Sequence, residues 1–211
     1  MNVRDRRKAI AARRDRRDTK ARILDALARI ILRDGLSGAG INALAREAGC
    51  DKVLIYRYFG DIDGVYSSFA SSREFWWTVE ELVSGLDPEE VSQPDALKTF
   101  LRRHVEALRS RPVTLAVLAE EASNRTPLVI ALEEVREQRA LALGAWIASH
   151  LSFSGMRVDF PAISLILSTA ATYLAVRARK IRIMSGVPIK SDEDWARIFA
   201  AFDLLIERVS G

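Results

Sequence analysis

INALAREAGCDKVLIYRYFGD, residues 41–61, decides the reading of this chain. Ile41 to Ala48 has helical spacing and closes on Gly49; Lys52 to Phe59 has it again. Two short helices joined by a three-residue turn (Gly49, Cys50, Asp51) match the helix-turn-helix arrangement. The tight crossing needs a small residue on the first helix, which Ala45 supplies, and a turn residue free to take a positive φ, which is Gly49. Leu44, Ala48, Ile55 and Phe59 then face a preceding long helix. Lys52, Val53, Tyr56 and Arg57 must lie largely outward, with Tyr58 close by. A helix that only packed inward has no need of three aromatics and a guanidinium in one row. A helix of this size fits the major groove of B-DNA. Tyrosine hydroxyls, Lys52 and Arg57 can bond phosphates or base edges, and Val53 or Leu54 can meet a thymine methyl.

The rest of the chain is compatible with that role. At 211 residues, with 49% apolar and 28% charged side chains, it describes a folded protein with a sizeable core. Cys50 is the single cysteine, so no intrachain disulfide can form and a reducing cytoplasm fits. No apolar stretch follows the N-terminal charges, which argues against a secretory signal, and Asp5, Asp15 and Asp18 argue against an organelle presequence. The longest apolar run, Ala162 to Val176, is too short to span a bilayer and reads as a buried helix.

The net charge of +4 conceals a split: residues 1–60 carry 15 Lys/Arg against seven Asp/Glu, whereas residues 61–211 carry 17 against 21. Arg4 to Arg22 alone holds ten basic residues and three acidic ones. Such an arm is drawn to a polyanion, nucleic acid or an anionic membrane surface; the alternative is a solvated, partly disordered tail.

Nearly every segment has a period of 3.6, and none alternates with period two, so the fold class is all-α with about nine helices. An apolar stripe of Ile23, Leu27, Ile30 and Ile31 marks a helix from about Thr19 to Asp34. Asp61 can cap a longer helix running through Phe69, Phe75, Trp76 and Val79. Residues 85–95 are rich in breakers and read as a loop. Helices follow at about 95–109, 112–123, 127–151, 160–184 and 192–209, with one break in the SFSGMRVDFP stretch. The last helix has a broad apolar face of Trp195, Ile198, Phe199, Phe202, Leu205, Ile206 and Val209. The one before it mixes Ile163, Ile166 and Leu174 with small residues such as Ser164, Ala170 and Ala171. These faces are either half of a four-helix interface between two copies or core within one.

Residues 19–66, centred on the quoted stretch, resemble TetR-type bacterial transcriptional regulators: Leu44-Ala45, Gly49, Tyr56 and Phe59 stand where that family's motif has its counterparts. The resemblance implies a basic arm (1–18), a three-helix DNA-binding domain (19–66, helix-turn-helix about 40–59) and a C-terminal effector-binding and dimerisation domain (67–211). It implies a cytoplasmic homodimer, joined through its last two helices, that binds a double-stranded operator and releases it when a small hydrophobic or aromatic effector binds. Lys52 and Tyr56 would contact phosphates; Val53, Arg57 and Tyr58 would approach bases or nearby phosphates; Leu54 and Asn42 complete the set. Three departures weaken backbone contacts: Gly40 where a capping Thr is usual, Leu54 where a small residue is common, and Ile62 where Lys is common. Arg14, Arg16 and Arg17 in the arm are expected to compensate, by reaching into a minor groove. The resemblance also sets Phe75, Trp76, Trp77, His104, Trp146, His150 and Tyr173 along an effector cavity, and Ile166, Ala170, Tyr173, Phe199, Phe202 and Ile206 at the dimer interface.

Rival chemistries find less support. Gly38 to Ala43 matches G-x-G-x-x-A, but it follows a helix where a dinucleotide site needs a strand. His104 and His150 lack partners at metal-ligand spacing, and the side chains of Glu120-Glu121 and Glu133-Glu134 diverge by about 100° on a helix. No metal, cofactor or enzymatic activity is expected. A membrane-surface or nonspecific nucleic-acid adaptor, without effector control, would use the arm but leave the Tyr-Arg-Tyr row unexplained.

Overall fold

A computed structural model describes residues 3–151 and 159–210. Ten α-helices are present among them: α1 (Val3–Asp34), α2 (Ile41–Ala48), α3 (Lys52–Phe59), α4 (Ile62–Ala70), α5 (Val79–Val83), α6 (Gln93–Arg109), α7 (Pro112–Glu120), α8 (Pro127–His150), α9 (Phe160–Ala178) and α10 (Asp192–Ser210). The break anticipated in the SFSGMRVDFP stretch falls largely outside the described residues. The chain forms two compact units, one of Met1–Ser72 with Glu120–Leu132, the other of Arg73–Ala119 with Glu133–Gly211.

The first unit is organised by the inner half of α1. Ile23, Ala26, Leu27, Ile30 and Ile31 are buried, and α1 packs against α2 and α4. Gly49 ends α2 in the left-handed region (φ 60°), and the amide of Cys50 donates back to the Ala45 carbonyl at 3.0 Å. Asp51 Oδ1 accepts from the Val53 amide at 2.8 Å and starts α3; Asp61 Oδ1 accepts from the Gly64 amide at 2.7 Å and starts α4. At Gly64 a β-carbon would fall 1.9 Å from the Phe59 carbonyl oxygen, so only glycine lets α4 leave α3 so abruptly. The Tyr66 hydroxyl donates to the Ala39 carbonyl and ties α4 to the loop before α2.

Several expectations are corrected. α1 begins at Val3, so the basic arm is helix where a partly disordered tail was considered. Its Ala, Arg and Lys residues are good helix formers that need no buried stripe. The helix capped by Asp61 stops at Ala70. Phe75, Trp76 and Trp77 instead lie in an irregular segment of the second unit whose carbonyls are taken by side chains. Thr114 Oγ1 donates to the Phe75 carbonyl, and Arg139 Nη1 donates to those of Trp76 and Trp77. The helix expected over 160–184 ends at Ala178, and a two-residue antiparallel hairpin, β1 (Ile183–Met184) and β2 (Val187–Pro188), turns through Ser185-Gly186.

In the second unit α6 is the central helix, packed against α5, α9 and α10. Basic residues along α6 meet α10: Lys98 pairs with Glu207 at 2.8 Å, Arg102 with Asp203 at 3.2 Å, and Arg109 with Asp192 at 2.7 Å. The Arg102 guanidinium also lies 4.3 Å from the Phe199 ring. Phe199, Phe202 and Ile206, expected at a dimer interface, are buried inside the unit. The reading of Ala162–Val176 as a buried helix is also overturned: of the 18-residue apolar window Pro161–Ala178, 17% is buried.

Candidate nucleic-acid interface

α3 is held from below and exposed above. Ile55 is fully buried and Phe59 half-buried, whereas Val53 is 71% and Tyr56 48% exposed, with Lys52 and Arg57 also exposed. Leu54 and Tyr58 are half-buried, and Asn42 is exposed at the start of α2. Lys52, Val53, Tyr56 and Arg57 thus form one outward row, and Leu54 and Tyr58 border it. Between α2 and α3 lies an open hollow of about 740 Å³ lined by Asn42, Ala45, Arg46, Gly49, Cys50, Asp51 and Lys52.

Electrostatics stiffen this platform. Glu47 on α2 accepts from Arg29 Nε and Arg33 Nη1 of α1, each at 2.8 Å. Those bonds, from Arg29 first and then Arg33, hold the Glu47 carboxyl below the ordinary range. Arg57 Nη2 donates to the Tyr58 hydroxyl at 3.1 Å, and its guanidinium carbon lies 5.0 Å from that ring's centre. Arg16 reaches the same ring at 5.5 Å, and Lys20 sits 5.0 Å from the ring of Phe59. Arg14 and Arg17 are exposed on the same stretch of α1. Burial pushes the Cys50 thiol up, which suits a packing residue and not a reactive thiolate. A surface that joins guanidinium, ammonium, phenol and a projecting aliphatic side chain can bond phosphates and read base edges. The contributions of Lys20 and of the Glu47 staple were not anticipated; the spacing of Lys20 four residues after Arg16 was the available signal.

The residues anticipated along an effector cavity do not converge as a set. Phe75, Trp76 and His104 are buried together, with ring centres 6.2 Å apart for Phe75–Trp76 and 5.9 Å for Trp76–His104. Trp77 Nε1 donates to His104 Nδ1 at 2.8 Å. An indole only donates, so His104 carries its proton on Nε2, which faces Thr172 Oγ1 at 2.8 Å. Burial pulls the His104 pKa down to about 4. Trp146 stacks on exposed His150 at 4.6 Å and meets the Phe100 ring of α6 edge-on at 5.8 Å. Tyr173 is exposed on α9, beside exposed Leu165, Ile166 and Ala170. A cleft of about 420 Å³ in the second unit is lined by Arg73, Glu74, Glu81, Ser110, Arg111, Pro112 and Val113, none of them in the anticipated set. Arg111 and Glu81 pair across it at 2.8 Å.

Residues 23–68 match the family described as bacterial regulatory proteins, tetR family. An HTH-type transcriptional repressor of Streptomyces coelicolor, SCO4008, is 33% identical over 99 residues, which span 46% of this chain and half the length of that one. The fatty acid degradation regulator FadR of Bacillus halodurans has a similar structure (TM-score 0.62, 18% identity, 88% of this chain and 96% of that one). So does a TetR-family protein of Mesorhizobium loti (TM-score 0.60, 21% identity, 92% and 96%). A TetR-like regulator of Rhodococcus sp. RHA1 gives a TM-score of 0.56 at 20% identity, over 91% and 93%.

Proposed function

We propose that this chain, a member of the TetR family of DNA-binding transcription regulators, is a cytoplasmic repressor that leaves its operator when a small apolar or aromatic effector binds. The observation that carries the reading is the outward row of Lys52, Val53, Tyr56 and Arg57 on a helix whose other face is locked by Ile55. Two such helices, about 34 Å apart in a homodimer, would read a near-palindromic operator one duplex turn between half-sites.

The dimer is supported by what α9 and α10 leave in water. Leu165, Ile166 and Tyr173 on α9 and Leu204 and Leu205 on α10 are exposed large apolar side chains. An apolar patch of this kind marks an association surface. Ile166, Ala170 and Tyr173 stay in the proposed interface, and Leu204 and Leu205 replace the buried Phe199, Phe202 and Ile206. For the effector, the cluster of Phe75, Trp76 and His104 is the favoured seat. Trp76 Nε1 is buried without a hydrogen-bond partner and would donate to an acceptor on the ligand. Binding there releases the operator only if the effector prefers the form that cannot hold DNA.

The test is fluorescence anisotropy on a duplex selected from a random-sequence library by the wild-type chain. Tight binding that survives excess nonspecific DNA is expected, with a loss of about tenfold to a hundredfold on Tyr56→Ala, the size of one lost specific contact of about 1–3 kcal/mol. Selection that yields no consensus, or a consensus bound equally by Tyr56→Ala, removes the reading of α3 as the recognition element.

A further inference from the structure

α1 does not end where the first unit's core ends. From Val3 to Asp18 it continues as helix, and the described side chains ahead of buried Thr19 are exposed. These residues extend about 24 Å at 1.5 Å each, the length of about seven base-pair steps. Arg6, Arg13 and Arg17 are exposed and recur at i, i+7 and i+11, so they project from one stripe about 40° wide. Arg16 lies on the neighbouring face and is engaged with Tyr58, while Lys20, one turn on, lies over Phe59. The stripe is therefore held at a set position beside the recognition helix, not on a loose tether. Asp18 approaches Arg14 and Arg17 only at 3.9 and 4.0 Å, between side chains at least 61% exposed, and so does little to neutralise them.

We propose that this helical extension is a phosphate clamp that grips the DNA backbone flanking the half-site read by α3. The inference rests on the DNA-binding reading of α3 and changes the role first expected for the arm. The helix itself is too wide for a minor groove: with its side chains it is about 10–12 Å across, and the groove is about 6 Å wide. An α-helix that cannot enter can still lie along the sugar-phosphate edge, where guanidinium groups pair with phosphate in bidentate fashion. The contact carries no sequence information; it adds affinity, footprint length and salt dependence.

The experiment uses the full chain and the selected duplex in two lengths, the consensus alone and the consensus with about ten flanking base pairs on each side, one turn of DNA. The variant is Arg6→Gln, Arg13→Gln and Arg17→Gln together, since glutamine removes charge while keeping helix propensity. Far-UV circular dichroism checks that helix content is retained. On the long duplex the variant should bind at least tenfold more weakly at low salt, with a log–log salt slope shallower by up to about 2.7 per protomer, about 0.9 for each phosphate released. On the short duplex, variant and wild type should converge. Equal slopes on the long duplex overturn the clamp while leaving the α3 reading intact, provided Tyr56→Ala still weakens binding to the selected duplex by about tenfold or more. A selection without consensus overturns both. Unchanged DNA slopes, with loss of binding to phosphatidylserine-containing vesicles, overturn it in favour of a membrane-facing arm.

Discussion

The chain has two short rows rich in aromatic residues and uses them in opposite ways. In α3, Tyr56, Tyr58 and Phe59 flank Arg57 on a regular helix, and the row opens outward, with Tyr56 and Arg57 exposed. At Phe75, Trp76 and Trp77 the backbone is irregular, and all three rings are buried. The difference lies in how backbone polar groups are satisfied. A helix settles its own hydrogen bonds and leaves side chains free to face a partner, whereas an irregular segment must borrow donors. Here the lenders are Thr114 and Arg139, and Trp77 extends the network to His104. The exposed members of the first row can therefore be changed with little effect on folding. One in the second is part of what holds its unit together.

The sharpest contrast should come from Phe75→Ala against Tyr56→Ala. Phe75 is fully buried, and truncating it should cost about 3–5 kcal/mol of unfolding free energy in urea titration, the range for a buried aromatic. Tyr56→Ala should move stability by about 0.5 kcal/mol or less, as exposed substitutions do, while weakening operator binding. A stable Phe75→Ala protein would mean that the two rows are less different than their burial indicates.

A pH titration of stability sharpens the same comparison from within the second row. His104 has its pKa pulled from 6.5 to about 4 by burial, so the folded state stays neutral where the unfolded state takes up a proton. The unfolded chain binds more protons between pH 6.5 and 4, so stability is complete above that window and falls as pH drops through it. The loss should approach about 3 kcal/mol by pH 4. His104→Gln should flatten this part of the profile, whatever it does to stability at neutral pH. A wild-type profile level from pH 6.5 to 4 would show that the histidine is not held neutral by Trp77 and its surroundings.

The same contrast explains what was legible in the sequence. Residues 41–61 could be read because each local signal agreed: Gly49 at the turn, Asp51 and Asp61 at helix starts, Ile55 inward. The helical arm was hidden because apolar periodicity reports burial, and the described side chains of α1 ahead of Thr19 are exposed. The end of α9 at Ala178 was hidden because two-residue strands are too short to show alternation. The apolar residues of α10 were legible as apolar, but a sequence does not say whose core they enter. Lys98, Arg102 and Arg109, spaced along α6, bring Phe199 and Ile206 into their own chain, and that pairing spans about a hundred residues. The residues expected along an effector cavity lie apart for a related reason: helical spacing places Trp146 and His150 on one helix face but does not aim that face.

The smallest effect worth measuring separates geometry from charge in α3. Asp51 Oδ1 caps the helix through the Val53 amide, and its carboxylate stands next to Lys52 on the exposed side proposed to meet DNA. An eight-residue helix is marginal by itself, so its cap and its buried Ile55 must hold it. Asp51→Ala removes both cap and charge and should cost about 1 kcal/mol in stability. Asp51→Asn keeps a capping oxygen and removes only the negative charge, so its thermal midpoint should stay near wild type. Operator affinity should then order the three proteins informatively. Asn should bind more tightly than wild type, because a repulsive charge near the backbone is gone. Ala should gain the same electrostatic term and forfeit part of it to a frayed first turn that misplaces Lys52 and Val53. If Asn and Ala bind alike and melt alike, the cap does not fix the recognition helix, and the rigidity of α3 must come from Ile55 and the α1 packing beneath it.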